Sequence, residues 1–131
     1  MTTIRFANHN CKLAFDTYDM GGLAVELHTP NGALVATASL WVQGISRNLP
    51  ANQFIVKTYS ENEGILDALA PYVTVIRNVQ IGHAICPVVE LRPTAFTCVG
   101  EGFTVQADLA KMSNHDVISM LRNLQRLTQL A

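Results

Sequence analysis

Apolar and polar residues alternate along the first third of the chain, which predicts β-strands. Residues 23–28 (LAVELH) place a large apolar side chain at every second position, the period of a half-buried strand. An earlier strand is predicted over 11–18, with Gly21-Gly22 turning it into the next one. Alternation resumes after Asn31-Gly32, so we expect a hairpin there with a type I′ turn, in which both central residues take positive φ.

The second alternating run contains the only tryptophan of the chain. Its two predicted faces are Leu34, Ala36, Ala38, Leu40 and Val42 on one side, and Thr37, Ser39 and Trp41 on the other. Two interpretations of Trp41 stay open. It is either buried by a second layer of structure, or it is a contact anchor of the kind found at interface centres.

A short helix is predicted in the middle of the chain. A strand over 54–59 is rich in β-branched and aromatic residues. Ser60 and Glu63 then have the spacing of a capping box, in which each side chain bonds to the other residue's backbone N–H. Gly64 is expected to weaken this helix, and Pro71 to end it.

The remaining β segments complete a predicted α+β fold. Residues 72–76 and 81–91 are either a strand pair or one broken strand, and Pro87 favours an edge position. Residues 96–99 and 103–109 are a further hairpin candidate. We therefore predict one α+β domain over residues 1–131: a mostly antiparallel sheet of roughly five to seven strands, a short middle helix and a C-terminal amphipathic helix.

The C-terminal helix carries a narrow apolar stripe. Its members are Val117, Met120, Leu121, Leu124 and Leu127. This stripe either packs on the protein's own sheet or docks a second copy of the chain, giving a homodimer. Leu124→Glu separates the two interpretations. If the stripe docks a second copy, the variant should give folded monomers; if the stripe packs on the protein's own sheet, the free energy of unfolding should fall by several kcal/mol and the protein should unfold. Arg122 and Arg126 lie on the opposite side, and they are predicted partner contacts because arginine suits bidentate bonding.

Composition narrows the class of protein. Charged residues make up 15% of the 131 residues and the formal charge is −1, whereas a typical globular chain has about 25%. The charge balance makes direct nucleic-acid binding unexpected. Low charge also favours some apolar surface being covered by a partner. The chain has an odd number of cysteines, which favours reduced thiols over a disulfide framework. Residues 1–5 show no apolar leader and we expect no membrane span, so we predict a cytoplasmic protein.

The sequence gives little basis for catalysis. The two pairs His9/Cys11 and His83/Cys86 are enough in number for zinc but lack the close spacing of a zinc knuckle. Residues 113–116 (SNHD) contain the letters of a hydrolase triad, which helix capping explains equally well. We therefore predict a non-enzymatic protein without metal or cofactor. The alternative is a small-molecule-binding protein or small enzyme with a pocket between sheet and helix.

One stretch carries a resemblance. Residues 49–69, beginning Leu-Pro-Ala-Asn and continuing through Ser-Glu-Asn-Glu-Gly-Ile, resemble a group of short uncharacterised accessory proteins of bacterial plasmids, phages and integrative elements. Residues 86–91 (CPVVEL) are similar to the closing strand of that group. The resemblance implies a mobile-element protein that binds a bacterial host complex, with anti-CRISPR and other defence inhibitors as examples. It implies no catalytic residues.

Overall fold

Eight β-strands form two four-stranded antiparallel sheets in the part of the chain that the structure describes. The structure is a computed structural model, and it describes residues 4–92 and residue 119. The strands are β1 (Ile4–Phe6), β2 (His9–Thr17), β3 (Leu23–His28), β4 (Leu34–Thr37), β5 (Ser39–Leu40), β6 (Gln53–Val56), β7 (Val73–Ile81) and β8 (Ala84–Leu91). One short α-helix, α1 (Ile65–Leu69), lies between β6 and β7.

The first sheet has the order β1-β2-β3-β4 and follows the predicted alternation. In β2 and β3, Leu13 lies opposite Leu27 and Phe15 opposite Val25. All four side chains are buried. The predicted strands over 11–18 and 23–28 are confirmed, because their large apolar side chains fall on the core face.

The hairpin between β3 and β4 is confirmed, but its predicted type I′ turn is wrong. Thr29 N–H donates to Ala33 O at 2.8 Å and Gly32 N–H donates to Thr29 O at 2.9 Å, so the loop has three residues. Gly32 has φ +94°, whereas the φ of Asn31 is not positive. The turn that forms runs from Thr29 to Gly32, one residue earlier than the predicted turn centred on Asn31-Gly32. Pro30 is its first central residue, and the proline ring holds φ near −65° there, which a type I′ turn excludes.

The second alternating run passes from one sheet to the other at Ala38. Strand β4 ends at Thr37 and β5 begins at Ser39. The Ala38 N–H donates to Val25 O at 2.8 Å in the first sheet, and its carbonyl accepts from Lys57 N–H at 2.9 Å in the second. The predicted single apolar face over 34–42 is therefore wrong, and Leu34 is 59% exposed.

The second sheet has the order β5-β6-β8-β7. Strands β7 and β8 form a hairpin around Gly82, so a strand pair is present here. The predicted bounds are wrong, because β7 continues through residues 77–81 and the turn follows Ile81. Pro87 was predicted to lie on an edge strand, which is wrong, because its strand β8 lies between β6 and β7. The pairing of β8 with β6 covers Val88 to Glu90 and stops before Pro87, so the proline lies just beyond the paired stretch.

The short helix exists, but the predicted capping box is wrong. Ser60 begins a 3₁₀ turn, Ser60–Asn62, and has φ +59°. Helix α1 begins later, with Gly64 as its N-cap at φ +88° and no side-chain cap bond. Its residues Ile65 and Leu69 are fully buried, and the chain continues into a 3₁₀ turn at Ala70–Tyr72 that contains Pro71.

The buried side chains form two clusters. The larger one joins the inner faces of both sheets to α1, and the smaller one joins β6 and β8 to the loop that follows β5. Partly buried members of the smaller cluster are Leu40, Val42, Ile45, Val79, Ile81 and Ala84. The loop after β5 therefore packs on one face of the β7–β8 hairpin.

The described residues show a mostly antiparallel fold with one short α-helix. Eight strands in two sheets replace the predicted single sheet of roughly five to seven. The predicted hairpin over 96–109 and the C-terminal helix with its stripe lie outside the described residues, as do Arg122 and Arg126. Within residues 4–92, no helix combines the length and the apolar character that a membrane crossing requires.

Candidate functional site

An open depression lies between the β2–β3 turn and the loop that follows β5. Its volume is about 870 Å³, and it is lined by Asp19, Met20, Trp41, Gln43, Gly44, Arg47 and Asn48. A neighbouring hollow of about 460 Å³ shares Asp19, Met20 and Arg47 with it. We call the surface formed by the seven lining residues the Trp41 depression.

One side of the Trp41 depression is the β2–β3 turn. Tyr18 N–H donates to Gly22 O at 3.0 Å, and Gly21 N–H donates to Tyr18 O at 2.9 Å. The predicted turn at Gly21-Gly22 is confirmed, and both glycines have positive φ. Closing the chain in this way leaves Met20 at the tip with 60% of its surface exposed.

The other side is the loop from Trp41 to Asn48, which Ser46 holds closed. The Ser46 Oγ accepts a hydrogen bond from Val42 N–H at 2.7 Å, and the Val42 carbonyl accepts from both Ile45 N–H and Ser46 N–H. Ser46 itself is buried. A 3₁₀ turn, Ser46–Asn48, follows and leaves Arg47 and Asn48 exposed at the rim.

The two sides touch directly. Trp41 Nε1–H donates to Gly21 O at 3.1 Å, and a Cβ atom at Gly22 would lie 3.1 Å from Ser46 O. Behind them, Ser39 Oγ lies 2.7 Å from the Tyr18 hydroxyl and accepts from Val25 N–H at 2.9 Å. These bonds join the two sheets at this end of the fold, so the Trp41 depression is built on a fixed frame.

The Trp41 indole is partly buried, and its N–H is satisfied within the chain. Trp41 is neither fully buried nor fully exposed, and it lines the depression. Aromatic residues, methionine and arginine are enriched in protein interfaces, and tryptophan and arginine are frequent among the residues that dominate the binding energy. No ion pair within residues 4–92 involves Arg47, so its guanidinium can meet a partner's carboxylate.

Met20 and Arg47 were missed by sequence reasoning. An apolar residue inside the polar turn segment Asp-Met-Gly-Gly is a signal for Met20, because turn tips face solvent. Arg47 had no such signal, because its place beside Met20 depends on contact between residues far apart in sequence.

The candidate metal and catalytic residues are not brought together. Cys11 is buried in β2 of the first sheet, whereas His83 and Cys86 belong to the β7–β8 hairpin of the second. In the part of the chain that the structure describes, no group of three or more His, Cys, Asp or Glu residues could hold a metal ion. Burial raises the pKa of the Cys11 thiol, which disfavours the reactive thiolate. The segment 113–116 lies outside the described residues.

The carboxylates of Asp16 and Glu61 each accept a hydrogen bond from a nearby residue. Asp16 accepts from Thr17 N–H at 2.8 Å, while Asp19 lines the Trp41 depression. Glu61 accepts from Lys57 Nζ at 2.6 Å, and this bond lowers the pKa of Glu61 to about 2. Glu61 is therefore unsuited to general acid work near neutral pH.

Comparison of the chain with protein-family models, curated proteins and solved structures gives no match. The Trp41 depression lies between a turn and a loop, whereas the alternative small-molecule pocket was predicted between sheet and helix.

Proposed function

We propose that the chain is a non-enzymatic protein-binding module whose contact surface is the Trp41 depression. The observation that carries this proposal is the position of an indole, an exposed methionine and an arginine around one open hollow. The surrounding Asp19, Gln43 and Asn48 supply the polar rim that interfaces commonly have.

The shape of the hollow supports a protein partner over a small ligand. Small-molecule sites enclose most of the ligand and are lined mainly by apolar side chains. The Trp41 depression is open, and many of its lining side chains are polar. A convex loop or helix of a partner fits such a surface, with Trp41 and Met20 as apolar anchors.

The proposed partner is a bacterial host protein complex in the cytoplasm, and binding would inhibit or adapt it. This part of the proposal is supported by the resemblance of residues 49–69 to accessory proteins of mobile elements. A CRISPR or other defence complex is the leading class. A second copy of the chain, docked through the predicted stripe that includes Leu124, remains part of the proposal as a homodimer.

Affinity purification from a bacterial lysate with matched variants tests the proposed surface. Met20→Glu and Arg47→Glu place charge that should repel an apolar or acidic partner surface, so both should lose the captured complex. Leu34→Glu is the control, because Leu34 is 59% exposed against 60% for Met20 and lies on β4.

The proposal stands if one host complex is captured by wild type and Leu34→Glu and lost with the other two variants. Equal capture by all four proteins contradicts the proposed surface. A protein that captures nothing specific, and that leaves phage or plasmid survival unchanged in a host carrying a defence system, contradicts the proposed function.

A further inference from the structure

Among residues 4–92, strand β7 forms an outer edge of the second sheet. It pairs with β8 over Val73 to Ile81, and no strand within residues 4–92 pairs with its other side. Its nine residues make it a long edge, compared with four residues in β4 at the edge of the first sheet. An unpaired strand edge presents backbone N–H and C=O groups that can bond to another extended chain.

The β7 edge carries little of the protection that proteins usually give to such edges. Its sequence, VTVIRNVQI, contains neither proline nor lysine, and its one charged residue is Arg77. Val75 and Ile76 are 49% and 46% exposed. Besides Arg77, the irregularity in the pairing between Val75 and Arg77 is a feature of β7 that opposes pairing with another strand.

The charge at the β7 edge is positive. Arg77 lies in the strand, and Arg92 Nε–H donates to Thr74 Oγ1 at 2.9 Å, which holds a second guanidinium beside it. Neither arginine forms an ion pair among the described residues. Glu90 lies opposite Thr74 on β8, and its carboxylate accepts from Gln53 Nε2 at 3.3 Å without forming an ion pair with Arg77 or Arg92.

We propose that the β7 edge binds an extended peptide segment with apolar and acidic residues, which adds to the second sheet as a further strand. Backbone hydrogen bonds supply the affinity in this mode, and side chains at alternate positions supply the specificity. Valine or isoleucine of the segment would pack on Val75 and Ile76, and a carboxylate would pair with Arg77. The proposal concerns a surface separate from the Trp41 depression and does not depend on the function proposed for it.

A second copy of the chain is the less favoured occupant of this edge. Two antiparallel β7 strands would bring both Arg77 side chains to one joined edge, and β7 has no carboxylate to neutralise them. Like charges placed in this way oppose pairing. An acidic segment removes that repulsion.

Nuclear magnetic resonance on the full chain tests the proposal with a defined probe. The probe is a synthetic peptide that alternates Val with Thr and Glu and matches the nine residues of β7; its partner probe has Lys in place of Glu. We expect the Glu peptide to shift the amide resonances of β7 and slow their hydrogen exchange, with the resonances of β4 unchanged. The Lys peptide should bind about tenfold less tightly.

Two matched variants make the outcome decisive. Ile76→Lys should abolish the effect of the Glu peptide, while Leu34→Lys on the β4 edge should keep it, each checked for an otherwise unchanged spectrum. The proposal is overturned by equal binding of the Lys peptide, by shifts confined to another surface, or by no shift at all. It is also overturned if the outward amides of β7 are already protected in the chain alone. If this protection from hydrogen exchange rises with protein concentration, a second copy of the chain occupies the edge. If the protection is already present in the monomer, residues 93–131 occupy it.

Discussion

Gly22 lies where the β2–β3 turn closely approaches the loop that follows β5. It has φ +108°, and a Cβ atom there would lie 3.1 Å from Ser46 O. A larger residue at position 22 would therefore meet both a strained backbone conformation and a close contact with the Ser46 backbone. Because Ser46 also closes the neighbouring loop, a shift at Gly22 would move both walls of the depression.

We predict that Gly22→Ala lowers the free energy of unfolding by about 2 kcal/mol. Gly44→Ala is the matched control, since Gly44 also has positive φ but nothing lies within 4 Å of its added Cβ atom. The control should cost about 1 kcal/mol, the penalty of the left-handed backbone alone. Urea unfolding of the three proteins measures the difference, and equal losses would contradict the close contact.

The ion pair between Lys57 and Glu61 gives a prediction for pH. Their hydrogen bond lowers the folded-state pKa of Glu61 from 4.5 to about 2. A lowered carboxyl pKa stabilises the fold above pH 4.5, and this contribution is lost as the pH falls towards 2. The effect is small because the pair is exposed to solvent.

Glu61→Gln should therefore be slightly less stable than wild type at pH 7, with the difference disappearing near pH 2. Denaturant midpoints of both proteins across that range check the direction. A difference that grows on acidification would contradict the assigned ion pair.

At the scale of single elements, the start of α1 shows where local sequence rules failed. The capping-box spacing of Ser60 and Glu63 predicted a helix beginning at once, but the chain forms a 3₁₀ turn first and α1 starts after Gly64. Burial of Ile65 and Leu69 fixes this start, because the helix must place both side chains in the core. Tertiary packing therefore outweighs the cap signal.

The structure and the capping box make different predictions for substitutions of Ser60. Ser60 has φ +59° and caps nothing, so glycine should leave the free energy of unfolding unchanged or raise it by up to about 1 kcal/mol. As a control, Ser60→Ala keeps the strain and removes only the hydroxyl, and should cost under about 0.5 kcal/mol. A loss of about 1 kcal/mol in the alanine variant would instead support a side-chain cap.

Strand positions were predicted well where alternation is strict, as in β2 and β3, because each register slip would expose the buried side chains of Leu13 and Val25. The sequence places a turn after β3 correctly, but Asn31-Gly32 suggests the wrong turn type. The fixed φ of Pro30 excludes a type I′ turn centred on Pro30 and Asn31. The passage between sheets at Ala38 has no local signal, since alternation continues through it. What identifies it is the partner of each backbone group, which is a property of the folded chain.

At the scale of the whole molecule, the same passage between sheets builds the candidate site. Ala38 directs the chain from β4 into β5, and the loop after β5 then lies against the β2–β3 turn. Trp41 could be singled out from sequence as the lone tryptophan of an alternating run. Its neighbours Met20 and Arg47 could not be assigned to the same surface, because they meet only when the two sheets are joined.

Photo-crosslinking from the tip of the β2–β3 turn tests the central claim most directly. A photoreactive residue in place of Met20 would lie at the Trp41 depression, and one in place of Leu34 would lie on an equally exposed position elsewhere. In host cells, we predict a covalent adduct with one host protein from position 20 and none from position 34. Adducts of equal yield from both positions, or from position 34 alone, would contradict a protein-binding surface at the Trp41 depression.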